Sequence, residues 1–140
     1  MKLRGVIMGV KTLQEWQEIY EKKAHEKFEL EAGFHLFYLP NRGFACLSMD
    51  REQGVLIISQ VCGDGEFWLD FITLEAESQQ LPRFLCYTER NIKAFLRTFK
   101  ITGFKDGYDI QTCRDKNGKK VIVAKHGNGY TLMFCHTETF

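Results

Sequence analysis

The chain has 140 residues, 44% of them hydrophobic, and a formal net charge of +1. That length suits one domain, 1–140, with a core of useful size, and neither a linker nor an internal repeat divides it. A near-neutral balance excludes a polybasic nucleic-acid protein, and no apolar run reaches the length of a membrane span. Five cysteines at 46, 62, 86, 113 and 135 form no C-x-x-C pair and sit in apolar runs, as small hydrophobes do. Met1–Val10 carries Lys2 and Arg4 and no cleavable apolar segment, so a reducing, cytoplasmic setting is expected.

In chain order, Thr12-Leu13-Gln14-Glu15 spells a capping box, and Leu13, Trp16, Ile19 and Tyr20 recur at helical spacing. A helix is predicted from Thr12 to about Glu31, ending at Gly33. Four strands are predicted next: Phe34–Leu39, Phe44–Met49, Val55–Val61 and Phe67–Leu74, an antiparallel meander with turns at Pro40–Gly43, Asp50–Gly54 and Gly63–Gly65. Glu75–Pro82 breaks the pattern. Phe84 then opens a short strand, followed by a basic amphipathic helix over Glu89–Phe99 that Gly103 closes. Tyr108–Cys113 and Lys119–Ala124 form a hairpin about Asn117-Gly118, and Tyr130–His136 is the last strand. The order predicts an α+β domain with two main helices and a mixed, mostly antiparallel sheet.

Candidate chemistry is sparse. His25, His35, His126 and His136 are scattered without ligand spacing, so no metal site is expected. Glu66 and Asp70, four apart on the expected fourth strand, would share its polar face, where a carboxylate can serve as base. Neither Gly63-Asp64-Gly65 nor Gly127-Asn128-Gly129 precedes a helical pattern, so both are expected to be hairpin turns, not phosphate loops. Arg90, Lys93, Arg97 and Lys100 would lie along one helix face.

The stretch Asn91-Ile92-Lys93-Ala94, followed by Gly103-Phe104 and a hairpin, resembles the C-terminal half of the GCN5-related N-acetyltransferase (GNAT) superfamily. The preceding strands and first helix are similar to that family in order. The resemblance implies a GNAT-like sheet and an acyl-CoA-dependent N-acyltransferase, with acetyl-CoA as cofactor and a small-molecule or protein amine as acceptor. Glu66 or Asp70 would be the base, strand amides near Ile72 and Thr73 would hold the pantetheine, and Asn91 would orient the cofactor arm. The family's pyrophosphate loop, Arg/Gln-x-x-Gly-x-Gly/Ala, is sought after the fourth strand. Glu75–Pro82 stands there, with no Gly, no Arg and two acids. The resemblance also implies that Phe67–Leu74 and Phe84–Tyr87 run parallel and splay apart. The alternatives are a non-catalytic interaction or homodimerisation domain and, on the basic helix, a phage-like nucleic-acid-associated protein.

Overall fold

The computed structural model describes residues 10–139; Met1–Gly9, on which the leader expectation rests, and Phe140 lie outside the described residues. Seven strands form one sheet in the order β1-β2-β3-β4-β7-β6-β5. They are β1 (His35–Leu39), β2 (Gly43–Asp50), β3 (Val55–Gly63), β4 (Arg83–Thr88), β5 (Ile110–Arg114), β6 (Lys119–His126) and β7 (Gly129–Thr139). Among the described residues three helices accompany it: α1 (Leu13–Ala24), α2 (Gly65–Ser78) and α3 (Ile92–Thr98). The architecture is α+β with a mixed, mostly antiparallel sheet. Among the described residues the single parallel pair is β3–β4.

The capping box forms as expected. Thr12 Oγ1 accepts from the Glu15 amide at 3.1 Å, and Glu15 Oε1 accepts from the Thr12 amide at 2.8 Å. α1 is shorter than Thr12–Glu31, because His25 turns left-handed at φ 57° and ends it.

The largest correction concerns Phe67–Leu74, which is helix, not strand. Its buried residues Gly65, Trp68, Leu69, Ile72 and Ala76 recur at helical spacing. Asp64 Oδ1 accepts from the Phe67 amide at 3.1 Å and caps the start. Gly63-Asp64-Gly65 is therefore a strand-to-helix loop and not a hairpin turn. α2 supplies the crossover between two parallel strands, which a two-residue turn cannot, and Glu75–Ser78 is its last turn.

The helix expected over Glu89–Phe99 is confined to Ile92–Thr98. Asn91 Oδ1 caps it, accepting from the Ala94 amide at 3.0 Å. The Asn-x-x-Ala spacing is that capping contact. Arg90 precedes the helix, and Lys93 pairs with Asp106 at 2.8 Å, so the four cations do not make one free face.

Helices cover both faces of the sheet. α1 lies against Phe44, Cys46 and Cys62 through Tyr20 and its neighbours. α2 and α3 cover the other face, where Leu56, Ile58, Phe84, Cys86, Leu132 and Phe134 meet Trp68, Leu69, Ile72, Phe95 and Phe99. Among the described residues, no helix is long and apolar enough to cross a membrane.

Candidate functional site: a gap through the sheet

β3 and β4 pair through four residues each, from Val55↔Arg83 to Ile58↔Cys86. Beyond that point each strand keeps only its outer neighbour. β3 continues along β2 to Gly63, and β4 continues along β7 to Thr88. The break falls at a β-bulge. Leu47 faces Ile58 and Cys46 faces Gln60, so Ser59 is an extra residue with no partner opposite. A bulge bends its strand and strengthens the local twist, which carries β3 away from β4.

The parted ends enclose a cavity of about 840 Å³. That is ample for an extended cofactor arm, since ligand sites run from roughly 300 to 1,000 Å³. Leu69, Ile72, Phe95 and Phe99 line it from the α2–α3 side, and Tyr20, Ala24 and Phe34 from the α1 side. Residues of both faces share one space, so the gap passes through the sheet. A smaller cavity of about 80 Å³ adjoins it, lined by Gly63, Gly65, Trp68 and Thr98.

Charge is distributed unevenly along this space. Lys23 and Arg90 line both cavities, whereas Glu26, Glu31 and Glu89 line only the larger one. The two cations are close enough to the end of β3 to pull the Cys62 thiol down against the burial that raises it. Burial, with the Glu26 carboxylate beside it, pushes the Tyr20 hydroxyl well above its ordinary range. Tyr20 donates its proton in a short hydrogen bond to Glu26. Cys86, in the floor, is pushed up to about 12 by burial and is an inert thiol at neutral pH.

The loop from β3 into α2 is tightly built. Burial raises Asp64, but the Phe67 amide, Arg42 and the Glu66 amide outweigh it and hold its carboxyl below the ordinary value. Arg42 pairs with Asp64 at 2.5 Å, and the Trp68 indole donates to the Arg42 carbonyl at 2.8 Å. Gly65 lies against α3: a Cβ there would be 2.4 Å from the Thr98 carbonyl oxygen.

Of the residues singled out in the sequence, Ile72 and Asn91 line the large cavity, while Glu66, Asp70 and Thr73 do not. Glu66 and Asp70 are exposed on α2, and Asp70 pairs with Lys116 at 2.8 Å. Ile72 and Thr73 are helical, so they offer no strand amides. Thr73 Oγ1 donates to the Leu69 carbonyl at 2.7 Å. No cluster of three or more His, Cys, Asp or Glu at metal-binding distance occurs among the described residues.

The residues that sequence reasoning missed are in Gln60-Val61-Cys62-Gly63-Asp64-Gly65. This run spells Gln-x-x-Gly-x-Gly where a strand enters the crossover helix. The signal was available: Asp64 with Glu66 marks a helix start, and the apolar residues that follow fit period 3.6. No family model matches the chain, and comparison with curated proteins and with solved structures finds no similar protein.

Proposed function

We propose that the chain is a divergent GNAT-like protein that transfers an acyl group from CoA to an amine. The observation that carries this is the parallel β3–β4 pair, which parts after four residue pairs beside a Gln60-x-x-Gly63-x-Gly65 loop opening α2. A Gln-x-x-Gly-x-Gly run, absent from Glu75–Pro82, stands at the end of β3, directly before the crossover helix, and supports this reading.

The charge pattern supports a direction for the cofactor. Phosphates belong near Lys23 and Arg90, at the junction with the small cavity. The Asp64 carboxylate already takes the Glu66 and Phe67 amides, so these cations supply the grip that helix amides would otherwise give. The amine belongs beside Glu26, Glu31 or Glu89, which line the larger cavity. One of these carboxylates, in place of Glu66 or Asp70, accepts the amine's proton as nitrogen attacks the thioester carbon. The C–N bond forms, the C–S bond breaks, and the thiolate leaves to be protonated. Asn91 Oδ1 caps α3, so its side chain would orient the arm through the Nδ2 amide.

Incubation with acetyl-CoA and a panel of primary amines, read as free thiol released, tests this. Amine-dependent release is expected. No release above the amine-free rate with any acceptor would overturn the activity.

A second reading, a non-catalytic interaction or homodimerisation domain on the same scaffold, is favoured by one feature. Asp64 places a carboxylate at the helix start where a phosphate would sit. Failure of millimolar acetyl-CoA to raise Tm, with a concentration-dependent dimer in light scattering, would select it.

A further inference from the structure

α1 covers only one end of its side of the sheet, where it packs on Phe44, Cys46 and Cys62 of β2 and β3. On β4, β7 and β6 the core side chains, such as Cys86, Leu132 and Val123, turn to α2 and α3. Their strand neighbours turn the other way. With β5 they form two rows in register: Leu85, Met133, Ile122 and Thr112, then Tyr87, Thr131, Ala124 and Ile110. Among the described residues, no helix ties either row into the core, and every member is half-buried or exposed, Ile110 by 65%. A sheet face turned to water is ordinarily polar. This one is apolar except at its two threonines, and contiguous apolar surface of that kind marks an interaction site.

The face is complementary to itself. Between the rows runs the line Cys86, Leu132, Val123 and Gln111, in register across the same four strands. A second copy, given a half-turn about an axis above that line, lays each strand antiparallel on its own counterpart, and the two rows exchange. Leu85 then meets Tyr87 of the second copy, Met133 meets its Thr131, Ile122 its Ala124, and Ile110 its Thr112. In the last three pairs a larger side chain faces a smaller one, as interdigitating sheets require. One step farther out, Arg83 meets Glu89 of the second copy, an exposed cation over an exposed carboxylate. Glu89 lies on this side of the sheet, since the Tyr87 hydroxyl donates to it at 3.1 Å. Lys120, beside Arg83 in the outer row, is paired with Glu138 at 3.2 Å.

We propose that the open face of β4, β7, β6 and β5 is a homodimer interface, two copies packing sheet on sheet about a two-fold axis that crosses the strands. The proposal is independent of the acyl-CoA reading, and a dimer alone selects neither reading of the function. Sedimentation velocity of the full chain, from micromolar to millimolar concentration, is expected to show a monomer–dimer equilibrium. Ile122→Glu sets a carboxylate in the middle of the face and is expected to leave monomer only, with its Tm no lower than that of the wild-type monomer at the lowest concentration. Charge reversal reads the geometry at exposed positions, where folding is not at risk. Arg83→Glu and Glu89→Arg are each expected to weaken the dimer by roughly tenfold or more, and the double variant to restore it. Residues 83 and 89 are about 20 Å apart along the strand, too far to pair within one chain, so recovery reports a contact between copies. A dimer indifferent to all these changes, or one lost in both single reversals and not regained in the double, would overturn the proposal. So would a wild-type monomer at every concentration. In that event a Tm lowered by Ile122→Glu would give the face to a segment of the same chain, and an unchanged Tm would give it to a different protein.

Discussion

Gly65 and the buried thiols show how single residues set the limits of the site. At Gly65 the backbone of α2 touches the Thr98 carbonyl of α3, and there is no room for a methyl group. Gly65→Ala is expected to push the helices apart and cost about 1–3 kcal/mol, as overpacking does, measured by urea unfolding. An unchanged midpoint would show that α3 yields freely. Gly63, at φ 109°, is more constrained still, since a Cβ would meet the Arg42 carbonyl oxygen at 2.1 Å.

The thiols carry a pH dependence. All five are raised, Cys46 to about 11 and Cys86 to about 12, from an ordinary 9.0, with burial the leading cause. The folded state thus holds these protons more tightly than the unfolded chain does. Its stability is full below about pH 9 and drains as pH rises toward 11–12. Unfolding free energies from urea titrations at about pH 8 and about pH 10.5 are expected to differ by more than ~1 kcal/mol. Cys86→Ala is expected to flatten that slope, and an equal slope in the variant would refute its share.

At the scale of elements, α1 rests on its cap and α2 on its periodicity. Thr12→Ala removes the hydroxyl that accepts from the Glu15 amide, leaves the backbone half of the capping box, and is expected to cost about 1 kcal/mol in thermal unfolding. Arg90, on the loop from β4 to α3, is half-buried at the junction of the two cavities. Arg90→Ala is expected to weaken acetyl-CoA binding by roughly tenfold or more, the worth of a charge-assisted hydrogen bond, while leaving α3 capped by Asn91. Unaltered affinity would move the phosphates elsewhere.

Elements with a strong local signal were legible. The Thr12–Glu15 box, the Asn117-Gly118 turn and the strands expected over Phe44–Met49, Lys119–Ala124 and Tyr130–His136 stand in the sequence as they stand in the fold. α2 was not, because Phe67, Trp68, Phe71 and Ile72 are strand formers by propensity. The burial of Trp68, Leu69, Ile72 and Ala76 is a tertiary outcome, imposed by the sheet face they cover. With Phe67–Leu74 expected as a strand, the loop before it reads as a hairpin turn and the gap is expected beside that segment and not beside β3.

For the whole molecule, the bulge at Ser59 and the crossover through α2 act together. The crossover makes β3 and β4 parallel, and the bulge parts them, so a seven-stranded sheet acquires an opening near its middle. The gap was foreseeable only from the pairing of strands far apart in sequence, which local patterns do not encode. Lys23 and Arg90 line both cavities and Glu26, Glu31 and Glu89 only the larger one, the charges that the proposal assigns to phosphates and to an amine. The most direct test is a titration of the wild-type protein with acetyl-CoA, followed by amide chemical shifts in NMR. Shifts concentrated at Ser59–Gly65 and Tyr87–Asn91 are expected. An absence of shifts at millimolar acetyl-CoA, or shifts confined to the β5 edge and the outer face of α3, would contradict the assignment of the gap as an acyl-CoA site.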